Sequence, residues 1–230
     1  AYAKRVISVR MDYLVDKPKA RSIPENPHQG VIARYALGRD YHKTLRKRLQ
    51  KFGEKIISKV GDMSYRPFVD SAPILERAVA EQAGLGWIGK NTMLINRQAG
   101  SFFFLGELFT DLPLIIDTPT SAHCGSCQAC IDICPTQAIV APYQLDARLC
   151  IAYLTIEYIG SIPEHLRSKI GNRIFGCDDC QLICPWNRYA QLSHEDDFKA
   201  RHGLDNISLL ELFSWTEKTY LAKTEGSPIR

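Results

Sequence analysis

The chain has 230 residues, 45% hydrophobic and 23% charged, with a formal net charge of +4 at pH 7. That length can bury a real core in one large domain or two modest ones, and the composition excludes a disordered or fibrous chain. No run approaches the roughly eighteen apolar residues a membrane-crossing helix needs, and Lys4, Arg5 and Arg10 interrupt any secretory leader, so a cytoplasmic protein with no membrane partner is expected.

In chain order, residues 5–11 predict a strand, at the start of what is expected to be an excerpt of a longer chain. A Pro-rich loop follows over 17–29. Leu45, Leu49, Phe52, Ile56 and Val60 recur at three- and four-residue spacing and predict a helix over 41–60. Residues 66–70 predict a short strand running into Ser71-Ala72-Pro73, which opens a helix through Ala83 that Gly84 closes. Residues 92–95 and 101–109 predict a hairpin around 96–100, with Phe102, Phe103 and Phe104 as buried strand. Residues 112–116 add a strand, and 117–121 form a linker. Asp146 is placed to cap a helix carrying Leu149, Ala152, Tyr153 and Ile156. Ser161-Ile162-Pro163-Glu164 has the form of a capping box opening a helix closed by Gly171. Leu209, Leu210, Leu212 and Phe213 predict a short amphipathic helix. The class is α+β: a mixed α/β domain over 1–117, a cysteine-rich domain over 118–190 and the start of a helical C-terminal region over 191–230.

All eight cysteines fall between positions 124 and 184. Clustered so, with no secretion signal, they indicate metal ligation in a reducing cytosol rather than a disulfide framework. Cys124-x2-Cys127-x2-Cys130-x3-Cys134-Pro135 reproduces the bacterial ferredoxin run, whose last cysteine ligates the other cluster in two-cluster proteins. Cys177-x2-Cys180-x3-Cys184-Pro185 repeats its last three positions, with Ile174 where the first cysteine would fall. Alone, Cys150 reads as an ordinary buried thiol; the ligand count closes if it supplies the missing position. One [4Fe–4S] cube is then assigned to Cys124, Cys127, Cys130 and Cys184, the other to Cys134, Cys150, Cys177 and Cys180. Zinc is the plain alternative, but four cysteines in eleven residues crowd one zinc, and the Cys-Pro ending has no zinc rationale. A ferredoxin needs only about 55–80 residues, so the segment before Cys124 must do something else.

Segments 34–42 (RYALGRDYH), 68–77 (FVDSAPILER), 84–91 (GLGWIGKN), 100–107 (GSFFFLGE) and 176–187 (GCDDCQLICPWN) resemble the epoxyqueuosine reductase family, in order and over essentially the whole chain. Family members also carry an N-terminal segment and a C-terminal helical-repeat region, which are expected to be absent or truncated here. The resemblance implies that the first domain binds cobalamin without an axial protein ligand. It implies reduction of the epoxide of epoxyqueuosine at the wobble position of tRNA, giving queuosine. The clusters would reduce cobalt, low-valent cobalt would engage the modified ring, and Asp70 would protonate the departing oxygen. By the same resemblance, Tyr35, Asp70, Trp87, Gly89, Asn91, Leu94, Ala152 and Asp178 are the cobalamin-contacting set. The tRNA-binding set is Arg34, Arg39, Lys43, Arg46 and Lys47, with Arg66 and Lys90 adding to it. A monomer served by an unidentified electron donor is expected.

The residues themselves leave more open. Asp70 sits at a strand-to-helix junction, a usual place for functional groups in α/β sheets, and Phe68, Val69 and Ala72 are expected to raise its pKa; a capping role at the helix start fits as well. Gly84, Gly86 and Gly89 match a dinucleotide-binding pattern but follow a helix, so that meaning fails; in the family they permit close approach of a corrin. Asp40-Tyr41-His42 begins a cobalt-ligating Asp-x-His-x-x-Gly pattern, but Leu45 stands at the glycine position, which leaves His42 at the helix N-terminus or on the surface. The helix over 41–60 carries Lys43, Arg46, Lys47, Arg48, Lys51, Lys55 and Lys59 against Glu54. That is either a solvated face or a surface for tRNA phosphates. A reductive dehalogenase with the same cofactor plan and a ferredoxin-type electron carrier are the alternatives.

Overall fold

The computed structural model describes residues 3–17 and 26–229, so much of the Pro-rich loop lies outside the described residues. The first sheet comprises β1 (Arg5–Asp12), β3 (Tyr65–Phe68) and β6 (Phe103–Thr110), and a two-residue strand, β2 (Val31–Ile32), precedes α1 (Tyr41–Val60). β6 is central, antiparallel to β1 (Arg5 opposite Thr110, Asp12 opposite Phe103) and to β3 (Tyr65 opposite Thr110, Phe68 opposite Glu107). Successive side chains of β6 alternate between two covered faces. Phe104 joins Leu45 and Leu49 of α1, and Gly106 lets that helix approach, since a Cβ there would stand 3.0 Å from Leu49 Cδ1. Phe103 and Leu105 face the other way, onto α2 (Glu76–Gln82), β4 (Trp87–Ile88) and β5 (Leu94–Ile95), where Ala80 and Leu94 are buried. Glu107 shares that second face by parity.

Helix α1 has the expected bounds, with the Asp40 side chain accepting the His42 N–H at 3.1 Å. Several other expectations are corrected. α2 opens at Glu76, not Ser71, because residues 69–74 turn tightly: Ser71 N–H donates to Val69 O and Ile74 N–H to Ala72 O. Of residues 92–95 only Leu94–Ile95 form a strand, β5, and it pairs with β4, leaving β6 to β1 and β3; the predicted hairpin does not form. No strand forms over 112–116, where Ile115 and Ile116 are exposed.

The cysteine region contributes α3 (Ala129–Asp132), the hairpin β7 (Ile139–Ala141) and β8 (Gln144–Leu145), α4 (Ile151–Ile156), α5 (Glu164–Ile170), β9 (Arg173–Phe175) and α6 (Asp179–Leu182). Asp146 caps a 3-10 turn (Ala147–Leu149) rather than a helix, which puts Cys150 at the N-cap of α4. Pro163, not Ser161, is the N-cap of α5, and the capping box is not made. β9 runs parallel to β2, tying this region to the first. The last segment, with α7 (Leu209–Phe213) and the unanticipated α8 (Glu217–Thr224), folds back: Leu204, Ile207 and Ile229 pack with Ile32 and Ala36, and Phe198 with Tyr13 and Tyr41. Hydrophobic cores thus cross both expected boundaries. Among the described residues no helix is long and apolar enough to cross a membrane.

Candidate functional site

Asp70 follows β3 in a left-handed conformation (φ 49°), rare for a residue with a side chain and a sign of local constraint. Its N–H donates to Glu76 Oε1 at 2.5 Å, which holds the turn. The carboxyl group, largely exposed, is met by the first residues of α1. The Tyr41 hydroxyl donates to Oδ2 at 2.5 Å, and His42 Nε2 lies 3.3 Å from the same oxygen. His42 Nδ1 lies 2.6 Å from Asp40 Oδ1, so the imidazole bridges two carboxylates. The Tyr41 ring is stacked between His42 (4.2 Å) and Phe104 (4.0 Å). The bond to Asp70, reinforced by Asp40, raises the His42 pKa against the effect of burial. The bond from His42, followed by that from Tyr41, lowers that of Asp70.

This reverses the expected pKa shift of Asp70. Val69 is buried in the core and Phe68 packs edge-on against Phe109 at 4.9 Å; the left-handed turn carries the carboxyl group toward donors instead. The sheet is also antiparallel, so the strand-end rule of parallel α/β sheets does not explain the position. Behind the turn, Glu107 is fully buried, and neither carboxyl oxygen has a partner within hydrogen-bonding geometry. Burial first, then the facing carboxylate of Glu76, pushes Glu107 up to about 8.

The short helices α3 and α6 pack together, and each is followed by a Cys-Pro step. Cys124, Cys127, Cys130 and Cys184 line one cavity of about 80 Å³. Burial and the neighbouring Cys124, Cys130 and Cys127 push Cys184 up to about 11. Cys180 is raised by burial and then by Cys177, Cys150, Asp178 and Cys130, so it lies near thiols of both assigned sets. The Cys134 sulfur accepts the Ala138 N–H at 3.3 Å. Among the described residues no three or more His, Cys, Asp or Glu side chains form a group that could hold a metal ion. Four thiols spread around a cavity suit a cube bound at its corners better than one tetrahedral zinc.

The 84–91 turn faces these loops. Lys90, expected on a phosphate-contacting surface, is only 8% exposed, its Nζ donating to Gly125 O at 2.7 Å and Cys127 O at 2.9 Å. Asn91 Nδ2 donates to Cys180 O at 3.2 Å. Trp87 packs edge-on against His123 and Trp186, both at 5.1 Å, and Leu94 lies in the core beside Ala80. The smallness of Gly86 and Gly89 is already used within the chain: a Cβ would meet Ile95 O at 2.3 Å and Ile95 Cδ1 at 2.4 Å. Tyr35, by contrast, joins Asp70 to the cysteine region. Its pKa is raised by burial and then by the charges of Asp178 and Asp70. Asp178, between Cys177 and Asp179, accepts the Arg34 N–H at 2.7 Å, and burial pushes it up to about 6. Ala152 is half-buried on α4.

On α1, Lys43, Lys47 and Lys51 line a cleft of about 600 Å³ with Arg39 and Arg48. Arg39 pairs with Asp197 at 3.2 Å and Arg48 with Glu195 at 2.5 Å, so part of the basic set is neutralised within the chain. Arg46 is exposed, Arg34 pairs with Asp16 at 3.3 Å, and Arg66 lies over the Phe68 ring at 4.8 Å.

Residues 1–71 match the family model described as epoxyqueuosine reductase QueG, DUF1730, and residues 123–187 that of a 4Fe-4S double cluster binding domain. The epoxyqueuosine reductase of Pseudomonas aeruginosa is 61% identical over 227 residues, covering 98% of this chain and 63% of that protein. That of Xanthomonas campestris pv. campestris is 63% identical over 227 residues, covering 98% and 64%. The chain belongs to the epoxyqueuosine reductase family. It spans about three-fifths of the length of the curated relatives it matches. Similar solved structures include an epoxyqueuosine reductase with an epoxyqueuosine-modified tRNA-Tyr stem loop (TM-score 0.88, 32% identity, 98% of this chain and 60% of that one). Another, from Bacillus subtilis, has its aspartate catalytic loop swung out of the active site (TM-score 0.85, 32% identity, 98% and 59%). The cysteine region is thus a double-cluster domain of this family, and the zinc alternative falls. Sequence reasoning missed Tyr41, His42, Glu76 and Glu107 beside Asp70. The signal lay in the segments resembling the family, of which 34–42 ends in Asp40-Tyr41-His42 and 100–107 in Glu107.

Proposed function

We propose that the protein reduces epoxyqueuosine to queuosine in tRNA, with electrons passed through the two clusters to cobalamin and Asp70 delivering a proton to the departing oxygen. Two electrons and two protons remove the epoxide oxygen as water. Bound cobalamin would supply a low-valent metal that engages the modified ring. The face running from the cluster-bearing loop to the catalytic turn suits it: Tyr35 senses the charges of both Asp178 and Asp70, with Ala152 on the adjoining helix. Both ring nitrogens of His42 are engaged by carboxylates, so its role would be to hold a proton rather than to ligate a metal.

The observation that carries this reading is the Tyr41–Asp70–His42 array. Because His42 is raised and Asp70 lowered, the resting proton lies on the imidazole. The proton passes from His42 through Asp70 to the substrate oxygen, while Tyr41 holds the carboxylate in place. Cys124, Cys127, Cys130 and Cys184 hold one cube, and Cys134, Cys150, Cys177 and Cys180 the other. Lys43 and Lys47, with Arg46 on the same helix, meet the anticodon stem; Arg34 and Arg39 already have carboxylate partners and contribute less.

The test is anaerobic reconstitution of the full-length protein with iron, sulfide and cobalamin, followed by assay on an anticodon stem-loop bearing epoxyqueuosine. Queuosine formation that requires the corrinoid is expected. Two clusters with no corrinoid binding would favour an electron carrier instead.

A further inference from the structure

Lys90 is a buried cation without a carboxylate partner among the described residues: none lies within 4.0 Å of its ammonium group. Its Nζ is anchored by two carbonyl oxygens, of Gly125 and Cys127, in the loop bearing the first three cysteines. It lines the same cavity as Cys124, Cys127, Cys130 and Cys184. Buried charges are ordinarily paired, because carbonyl dipoles alone replace only part of the lost hydration. The nearby candidate for the missing negative charge is the cysteine group itself. Four thiolates outweigh the charge of the cube they bind, so the assembled centre is a net anion, and each reduction adds one more electron.

We infer that Lys90 is the counter-charge of the cluster held by Cys124, Cys127, Cys130 and Cys184 and raises its reduction potential; this rests on the ligand assignment above. A fixed positive charge in a poorly hydrated site stabilises the reduced, more negative centre over the oxidised one. The position is also selective. The 84–91 turn reaches the other cysteine loop through the neutral amide of Asn91, donating to Cys180 O, and not through a charge. The cation beside Cys177, Arg173, is already neutralised by Asp179 at 2.5 Å, so Lys90 offsets the two clusters, the one beside it being the easier to reduce for a given environment. Lys90 moves no proton and touches no substrate; it acts on the electron's resting place.

The experiment compares Lys90→Met, Lys90→Gln and Lys90→Arg in the reconstituted full-length protein. Iron and sulfide are counted first, and EPR-monitored redox titration then gives both potentials. The uncharged variants are expected to hold both clusters with one potential lowered by about 59 mV or more, a tenfold change in a one-electron equilibrium, while Lys90→Arg stays near wild type. Loss of one cluster in the uncharged variants but not in Lys90→Arg would also support the charge. Wild-type potentials in Lys90→Met, or the same shift or cluster loss in all three variants, would reduce Lys90 to a loop clamp and overturn the inference. A wild-type protein holding zinc would overturn the ligand assignment itself, visible in the metal content before any potential is read.

Discussion

Around Asp70, three carboxylates crowd one turn, and each is answered from within the chain: His42 stands between Asp40 and Asp70, the Tyr41 hydroxyl donates to Asp70, and Glu76 accepts the Asp70 N–H. Around the cysteines the groups answer one another poorly. Burial and neighbouring thiols push Cys184 and Cys180 upward, and the ammonium group nearby is fastened to carbonyls. The first region is electrostatically closed as it stands and can hold and pass a proton. The second is incomplete until a positively charged group draws the thiolates together, so metal binding there is coupled to proton release.

If the two regions are separate devices, each can be removed without the other. The largest effect is expected from the cysteines. Cys184→Ala and Cys150→Ser should each lose about half of the bound iron, one cluster of the two, with a different cluster's EPR signal surviving in each. A variant that retained both clusters would refute the assignment of that cysteine. Asp70→Asn should keep its iron and yet lower turnover by about 10²- to 10⁴-fold, the usual weight of a positioned acid. Loss of iron in Asp70→Asn would show that the regions are not independent.

The pH dependence sharpens the same contrast. His42 is raised above the ordinary 6.5; under the proposed relay its imidazolium is lost as pH rises through that raised value, and turnover should fall on the alkaline side. His42→Gln should flatten that limb and slow turnover about tenfold to a hundredfold, less than the loss of Asp70. The ion pair's contribution to stability follows the same signs. The histidine part is fully present below about 6.5 and is lost above the raised value; the aspartate part is lost as pH falls through its lowered value. An alkaline limb unchanged in His42→Gln would assign that titration elsewhere.

The double-cluster character of residues 123–187 was legible because ferredoxin spacing is local: cysteines two and three residues apart carry their geometry with them. Helix α1 was legible for the same reason, its apolar positions recurring within each turn. The ionisation of Asp70 was not, because its sequence neighbours are not its neighbours in space. Val69 points into the core, while Tyr41 arrives from 29 residues away. Lys90 was misplaced on the surface because a lone lysine in a glycine-rich turn gives no sign of being folded inward. The hairpin failed likewise: residues 92–95 had two candidate partners, and the two-residue β4 won because β6 was already covered on both edges.

The smallest expected effect concerns Glu107, and it tests whether the Asp70 side is as closed as it looks. A carboxylate with no hydrogen-bond partner and no exposure is strongly disfavoured, so the folded protein keeps Glu107 protonated up to about 8, against about 4.5 for an ordinary glutamate. Between those two values the folded state binds a proton that the unfolded chain releases, and stability therefore declines as pH rises from about 4.5 to about 8 and levels off beyond. Glu107→Gln keeps the size and can never ionise. It should match wild type in thermal unfolding at pH 5 and exceed it at pH 8 by several degrees, on the order of 1 kcal/mol after relaxation. Parallel stability profiles for the two proteins would mean that Glu107 titrates normally and that Glu76 faces a carboxylate. Profiles that coincide at pH 5 and separate by pH 8 would mean that the proton on Glu107 leaves Glu76 free to hold the Asp70 N–H, so that buried acid on this side is balanced by a bound proton where the cysteine side uses a lysine.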